Sequence, residues 1–386
     1  MNRRDFLSTV GAATVASIVP ASALAQRSPA GYANLLVLVE LKGGNDGLNT
    51  VVPYSDSEYY ALRPRLAVPR DQVLQLDGRA GLHPSLEPLM ALWTRRELAV
   101  VQSVGYPGAN LSHFRSIEIW DTASNSNEYL GEGWLARTFA AAPAPRSFAA
   151  DGVVVGGAEM GPFAGAGTRA IALTDTQQFL RQARLAAPAG VARNGALSHI
   201  LRVEQDIVQA AANLNGNHAF ATEFPRTPFG NAVRTASQVI ASKAGVAAVK
   251  ISLNGFDTHS NQPGTHARLL KDLAEGLAAL RSALAEAGRW ESTLIMTYAE
   301  FGRRPRENRS SGTDHGTAST HFLLGGRVKG GLYGPPPGLS RLDGNGNLPF
   351  AVDFRDVYAT VIERWWGVES ARALKGRFAS LDIVRA

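Results

Sequence analysis

The residues of this sequence that could catalyse a reaction or bind a metal ion fall into four short segments. They are Asp46, Ser112, Asp257, His259, Glu300, Arg303, Asp314 and His315. Carboxylates and imidazoles bind divalent cations, and a bound cation polarises an ester and lowers the pKa of a hydroxyl or water. A serine hydroxyl beside such a cation can act as the nucleophile. The set therefore indicates metal-assisted hydrolysis.

Each of these residues also has an ordinary structural interpretation. Ser112 can be a helix N-cap, and Asp46 before Gly47 can belong to a turn. Asp257 can form an Asx turn, and Glu300 can pair with Arg303 or Arg304. Four histidines without a nearby carboxylate are interpreted as surface or packing residues, namely His83, His199, His218 and His266. For His321 two interpretations stay open, a metal ligand or the start of a strand.

Arginines are concentrated in the segment that follows Glu300. They are Arg303, Arg304, Arg306 and Arg309. Guanidinium groups suit the recognition of phosphate and carboxylate, so this segment could hold an anionic group. The alternative interpretation is a solvated loop. We include Arg303, the first of the four, among the candidate catalytic residues.

The elements that must position these residues are buried strands alternating with helices. Apolar runs predict strands at Leu35–Leu41, Leu98–Val104, Gly152–Val155, Ala170–Leu173, Ala247–Leu253 and Thr293–Tyr298. Helical patterns occupy Pro84–Trp93, Gly195–Asn215, Asn231–Lys243, Thr265–Ala287 and Val357–Trp366. This alternation predicts an α/β fold, a three-layer α/β/α sandwich with a mostly parallel central sheet. Ligands bind beyond the carboxyl ends of such strands, where the candidate residues lie.

Residues 35–386 are predicted to form a single α/β domain. Within it, the Ala- and Gly-rich segment from about 141 to 227 is a candidate insertion or cap. Two segments rich in Gly, Arg, Asn and Pro, 302–320 and 330–348, are predicted as long loops. Loops of this length in a compact domain are usually functional or disordered.

The N-terminus has the three parts of a secretory signal. Paired arginines at Arg3-Arg4 precede an apolar stretch, and Ala23-Leu24-Ala25 offers a cleavage point. Twin arginines are typical of the Tat pathway, so residues 1–25 are predicted to be a twin-arginine signal peptide and 26–34 a linker. A membrane anchor is disfavoured, because the stretch is short and Pro20 ends it. We expect recognition by the Tat translocase and a periplasmic or extracellular location.

Composition limits the chemistry further. The 386 residues contain no cysteine, which excludes disulfides, zinc–thiolate sites and cysteine nucleophiles. The net charge of +6 is a modest basic excess without a Lys/Arg run interleaved with aromatics, so no nucleic-acid partner is expected. An anionic small molecule or polymer fits better as substrate. No later apolar stretch is long enough for a membrane anchor.

Four segments carry a resemblance to a known family. They are Leu41–Pro53 (LKGGNDGLNTVVP), Leu111–Phe114 (LSHF), Gly255–His259 (GFDTH), and Glu300–Arg303 (EFGR) with Asp314–Gly316 (DHG). Through them the chain, from Leu35 to about Phe378, resembles a family of Tat-exported bacterial proteins, domain-of-unknown-function family 1501. That family belongs with the alkaline phosphatase and sulfatase superfamily.

The resemblance implies an α/β/α sandwich that binds one or two divalent metal ions, with zinc, calcium and manganese as candidates. It places Ser112 near the nucleophile and Asp46 (or Glu40) as the metal carboxylate after the first strand. It makes Asp257 and His259 ligands of one metal, Glu300 of another, and His315 a late ligand, with Asp314 beside it. Arg303 stands where a histidine ligand is expected, which argues against a second metal.

Two functions follow as expectations. The first is a metal-dependent hydrolase of phosphate or sulfate esters. The alternative is a non-catalytic exported protein of the same fold that binds an anionic ligand or an envelope partner. A second exported protein is a possible partner that the resemblance suggests.

Overall fold

A computed structural model describes residues 31–173, 218–242 and 245–385. Several predictions lie outside these ranges: the signal peptide, most of the linker, the helix at 195–215, His199, and residues 174–217 of the possible insertion.

The strands and helices alternate along the chain. The strands are β1 Leu35–Lys42, β2 Val51–Val52, β3 Leu74–Gln75, β4 Gly81–Leu82, β5 Leu98–Gly105, β6 Ala150–Val155, β7 Ala170–Leu173, β8 Val246–Asn254, β9 Thr293–Tyr298, β10 Gly302–Glu307, β11 Thr313–Gly316, β12 Ser319–Leu324, β13 Gly331–Tyr333 and β14 Val352–Asp353. The α-helices are α1 Gly47–Thr50, α2 Ser57–Leu62, α3 Met90–Thr94, α4 His113–Thr122, α5 Trp134–Ala141, α6 Pro228–Ala241, α7 Gln262–Glu286, α8 Phe354–Ala359 and α9 Ala371–Leu374. A π-helix, Thr360–Trp365, continues α8, and 3₁₀ turns occupy Arg70–Gln72, Pro84–Leu89, Gly161–Phe163 and Trp290–Ser292.

One large sheet forms the centre of the molecule. Its strand order is β13-β5-β12-β9-β1-β8-β6-β7, and β14 also pairs with β5. The pairs of β1 with β8 and β9, and of β6 with β7 and β8, are parallel. Within this sheet, among the strands that the structure describes, only β12 runs antiparallel to its neighbours, β5 and β9. The carboxyl ends of β1, β5, β8 and β9 consequently lie at one edge.

Each face of the sheet is covered by helices. Leu35, Val37 and Val39 of β1 belong to one core, whereas Leu36 and Leu38 belong to the other. Helices α6 and α7 pack on the first face, and α4, α5, α8 and the π-helix pack on the second. Such an apolar run on both sides of a strand is typical of a central strand covered twice. The predicted three-layer sandwich is therefore confirmed.

The predicted loop at 302–320 differs from the structure. Strands β10 and β11 form an antiparallel hairpin within it, with Arg303 opposite His315 and an irregular register towards Glu307. The prediction failed here because pairing by backbone hydrogen bonds needs no apolar alternation. The hairpin projects from the end of β9 and brings His315 to the carboxyl edge.

Membrane-spanning segments were sought in the part of the chain that the structure describes. None of its helices is both long enough and apolar enough to cross a bilayer.

Candidate metal centre

The turn after β1 builds the floor of the site. Gly43 and Gly44 have φ angles of +114° and +78°, which favour glycine. A Cβ on Gly43 would lie 2.4 Å from the backbone nitrogen of Asp257, so the turn also needs glycine for space. Both backbone N–H groups donate to the Glu300 carboxylate, over 2.9 Å and 3.1 Å. The turn thereby joins the ends of three strands, β1, β8 and β9.

Glu300 orients a histidine from the opposite side of the site. Its Oε1 lies 2.9 Å from Nδ1 of His113, the first residue of α4. The hydroxyl of Ser116, one turn later in α4, donates to the backbone carbonyl of Glu300. With Nδ1 held by a carboxylate, the Nε2 atom of His113 is free to bind a metal ion.

Two further histidines are oriented in the same way. Nδ1 of His315 lies 2.8 Å from the Leu111 carbonyl oxygen, and Nδ1 of His259 lies 3.4 Å from Oδ1 of Asp314. Asn308 donates to the same oxygen of Asp314 over 3.2 Å. Each outer ring nitrogen thus has an acceptor, and each inner nitrogen faces the same point.

That point is the Asp257 carboxylate. The Nε2 atoms of His259, His315 and His113 lie 3.0, 3.2 and 3.4 Å from its oxygens. Ligand atoms of His113, Asp257 and His315 all lie within 4.8 Å of one another. Nε2 of His259 is 3.0 Å from that of His315. Three imidazoles and one carboxylate therefore converge at a spacing that one cation can bridge.

The charge state of these groups suits metal binding. Partial burial raises the pKa of Asp257, but hydrogen bonds from Arg303 and His315 and the charge of Arg303 outweigh it, and the pKa falls to about 2. Partial burial lowers the pKa of His315. An ionised carboxylate and a neutral imidazole are the forms that bind metals.

Arg303 lies beneath the cluster, with 2% of its surface exposed. Its guanidinium donates to the backbone carbonyls of Gly43, Gly44, Phe256 and Thr313, and over 2.6 Å to Oδ1 of Asp257. Arg303 is a candidate catalytic residue by sequence. In the structure its guanidinium is engaged by these carbonyls and by Asp257, which suits it to holding that carboxylate in place.

Asp46 is placed away from the cluster. It caps α1, is 1% exposed, and pairs with the buried Arg63 over 2.7 Å. Gln262 donates to the same carboxylate oxygen. The expected role as a metal ligand is thus replaced by a buried ion pair. Thr258 also points away from the cluster, since its hydroxyl donates to Gln262 over 3.1 Å.

Ser112 lies at the rim, between two residues of the site. The carbonyl of Leu111 faces His315, and His113 follows at the start of α4. Ser112 is exposed and occupies the N-cap position, yet its side chain makes no capping hydrogen bond. A free hydroxyl beside the N-terminus of a ten-residue helix can approach an anionic group held there.

His113 was not among the metal ligands expected from the sequence. Its carboxylate partner, Glu300, is 187 residues away along the chain, so no local motif joins them. The only local signal was the Leu-Ser-His-Phe segment at a helix start. Conversely, Glu300 was expected to bind metal and is placed behind His113.

His321 is a buried strand residue rather than part of the site. It lies in β12, is 2% exposed, and packs edge-on against the Trp120 ring. Within the described part of the chain, neither ring nitrogen has a hydrogen-bond partner.

Replacing His321 with phenylalanine is expected to protect the protein against acid. Burial lowers the pKa of His321 from 6.5 to about 3. Below pH 6.5 the unfolded chain binds a proton that the folded chain refuses, so folding free energy is lost as the pH falls. Between pH 7 and pH 4.5, protonation of this histidine in the unfolded chain lowers the free energy of unfolding by about 3 kcal/mol. Urea unfolding at both pH values should therefore show that the free energy of unfolding falls less in the variant than in the wild type, by that amount.

The exposed His218 provides the control, because His218→Gln should leave the acid sensitivity of the wild type unchanged. An equal loss of stability in His321→Phe and wild type would contradict the assignment.

The fold and the site together define a class, an α/β/α sandwich protein with a histidine–carboxylate cluster at the carboxyl edge of its parallel sheet. The chain belongs to the family described as "Protein of unknown function (DUF1501)", whose model matches residues 69–376. The family predicted from the sequence motifs is confirmed. Among curated proteins no match is found.

Several solved structures are similar to the chain. A protein in the alkaline phosphatase superfamily from Vibrio parahaemolyticus is 10% identical, with 91% of this chain and 70% of that chain covered and a TM-score of 0.43. A phosphonate monoester hydrolase from Silicibacter pomeroyi is 11% identical, with 89% of this chain and 75% of that chain covered and a TM-score of 0.43. The C-terminal periplasmic domain of EcEptC from Escherichia coli, in complex with zinc, is 13% identical, with 76% of this chain and 72% of that chain covered and a TM-score of 0.39.

Proposed function

We propose that this protein is a metal-dependent hydrolase of phosphate or sulfate esters, exported as its N-terminal segment indicates. One observation carries the proposal: three histidines have their outer nitrogens engaged by protein acceptors, and their inner nitrogens converge on the Asp257 carboxylate.

Zinc is the metal that this donor set fits best. Imidazole nitrogens suit zinc, whereas calcium and manganese prefer sites dominated by oxygen ligands. His113, His259, His315 and Asp257 would hold the ion. When bound, it would supply Lewis-acid polarisation of the ester and lower the pKa of a hydroxyl.

The protein's own groups account for the remaining requirements. Glu300 and Asp314 fix the tautomers and orientations of His113 and His259. Arg303 holds the Asp257 carboxylate in place. Ser112 at the rim is the proposed nucleophile, which attacks the phosphorus or sulfur atom and displaces the alcohol. Water then releases phosphate or sulfate and restores the serine hydroxyl.

Ser112→Ala is expected to lower hydrolysis of an activated aryl phosphate or sulfate by about a thousandfold or more. Metal content and thermal unfolding should stay nearly unchanged, because the exposed side chain makes no capping hydrogen bond. If Ser112 acted only as a cap, the substitution would cost about 0.5–2 kcal/mol and spare activity. Elemental analysis, kinetics and calorimetry on the same sample distinguish the two results.

Ser310→Ala serves as the control, since Ser310 is exposed in the neighbouring hairpin. Activity that survives in Ser112→Ala but is lost in Asp257→Ala would assign the attack to water. A purified protein with neither metal nor turnover would favour the alternative, a binding protein for an anionic ligand or envelope partner.

A further inference from the structure

A pocket of about 780 Å³ opens beside the metal centre, and its walls are mostly apolar. His113 and Glu300 belong to both the pocket and the centre. Phe114 stands in the pocket lining with 89% of its surface exposed, which is unusual for a phenylalanine. A ligand held at the centre could therefore extend an apolar group into this pocket.

The lining of the pocket also contains two carboxylates with unpaired oxygens. Glu40 is 1% exposed; its Oε2 accepts a hydrogen bond from Ser252 over 2.8 Å and forms an ion pair with Lys250 over 3.1 Å. Its Oε1, and Oδ1 of Asp121 in α4, are buried and have no hydrogen-bond partner among the described residues. Buried acceptors are normally satisfied, so two in one pocket lining point to a donor that arrives from outside.

The charges around these oxygens leave one carboxylate in excess. Lys42 pairs with Glu159 over 2.6 Å, and Lys250 pairs with Glu40. Asp121 has no ion-pair partner in the described ranges. Burial raises the pKa of Asp121 to about 7, although the charge of Lys250 opposes this. An ionised Asp121 is therefore costly unless a cation accompanies it.

Gly161, which also lines the pocket, has no side chain that would crowd Asp121. A Cβ at this position would lie 2.9 Å from Nζ of Lys250 and 3.0 Å from Oδ1 of Asp121. The glycine thus keeps the approach to Asp121 open.

We propose that this pocket binds an ammonium group on an apolar stem, with Asp121 and Glu40 accepting its hydrogen bonds. Binding of the ammonium group does not depend on the proposed function. The assignment of a substrate class does rest on it, because it requires the ester group of the same ligand to occupy the metal centre. The substrate class would then be phosphate or sulfate esters of amino alcohols. An ammonium group offers three donors, enough for both unpaired oxygens.

The binding step can be tested without any turnover, by ligand-observed NMR with hexylammonium and with hexanol. The two probes share one stem and differ in charge. The wild-type protein should bind hexylammonium about tenfold more tightly or better, and Asp121→Asn should remove this preference while leaving hexanol binding unchanged. Equal affinity for both probes in the wild type would overturn the proposal.

Glu118→Gln is the matched control. Glu118 lies on the same helix and lines the same pocket, but it pairs with Arg115 over 3.0 Å. Its variant should keep the preference for hexylammonium. Loss of the preference in Glu118→Gln but not in Asp121→Asn would contradict the assignment of the binding group.

Asp257→Asn separates this inference from the hydrolase proposal. Hexylammonium should bind to this variant as it does to the wild type, because Asp257 does not line the pocket. In the wild type, KM for the phosphate ester of an amino alcohol should be about tenfold lower than for the ester of the matching alcohol. If hexylammonium binds but no ester is hydrolysed, the proposed ammonium site stands and the hydrolase proposal fails. If esters are hydrolysed but hexylammonium is not preferred over hexanol, the hydrolase proposal stands and the ammonium site fails.

Discussion

Asp257→Asn is expected to reduce zinc content to background and to lower ester hydrolysis by about a thousandfold. The aspartate is the group on which the Nε2 atoms of His113, His259 and His315 converge. The amide has the same shape but lacks the charge that offsets a divalent cation. Elemental analysis of the purified protein and kinetics with an aryl phosphate or sulfate measure the two effects.

Folding should be affected little by the same substitution. The side chain of Asp257 is 46% exposed, and an asparagine Oδ1 can still accept the hydrogen bond from the buried Arg303, whose other donors are held by backbone carbonyls. Metal-free samples of both proteins should therefore unfold at similar urea concentrations. Asp382→Asn, which changes an exposed carboxylate 64% accessible to solvent, should retain full metal content. Stoichiometric zinc in Asp257→Asn would contradict the proposed centre.

Arg63→Met, in contrast to Asp257→Asn, is expected to destabilise the fold, with a loss of about 3–5 kcal/mol in the free energy of unfolding. Arg63 and Asp46 have fully buried side chains, 0% and 1% exposed, and form a 2.7 Å ion pair. Burial alone would raise the pKa of Asp46, but the charges of Arg63 and His266 hold it below its usual value. Without Arg63 the carboxylate is buried and uncompensated. Urea unfolding measures the loss.

The double variant with Asp46→Asn should recover part of this loss, since it removes the stranded charge. Arg268→Met is the control, because Arg268 is 65% exposed and lies 3.8 Å from its partner Asp272. A cost below about 1 kcal/mol for Arg63→Met would show that the buried pair is not structural.

The sheet could be predicted from the sequence because its strands are buried on both faces. The runs Ala170–Leu173 and Thr293–Tyr298 match β7 and β9 at both ends, and Leu35–Leu41 is one residue shorter than β1. The β10–β11 hairpin escaped prediction, and the antiparallel β12 was anticipated only as one of two interpretations of His321, the start of a strand. Their partners are set by the tertiary fold and by backbone hydrogen bonds, which leave no period in the sequence.

The site was predictable only in part, for a different reason. Asp257, His259 and His315 follow strands or lie in a conspicuous motif, and the structure brings them together. His113 depends on Glu300, and Asp46 on Arg63, and both partnerships are made by the fold. The sequence therefore shows which carboxylates are chemically able to bind a metal ion. It does not show which of them already pair with an arginine or a histidine in the folded protein.

The Gly43-Gly44 turn shows how the position of a reactive group can depend on residues that have no side chain. Its two N–H groups hold Glu300, which holds His113, while its carbonyls hold Arg303, which holds Asp257. Neither glycine carries a reactive side chain, yet both position groups that do. Even a single added methyl group at Gly43 would displace the backbone of Asp257. The geometry of the centre therefore depends on the close packing of the main chain as well as on its side chains.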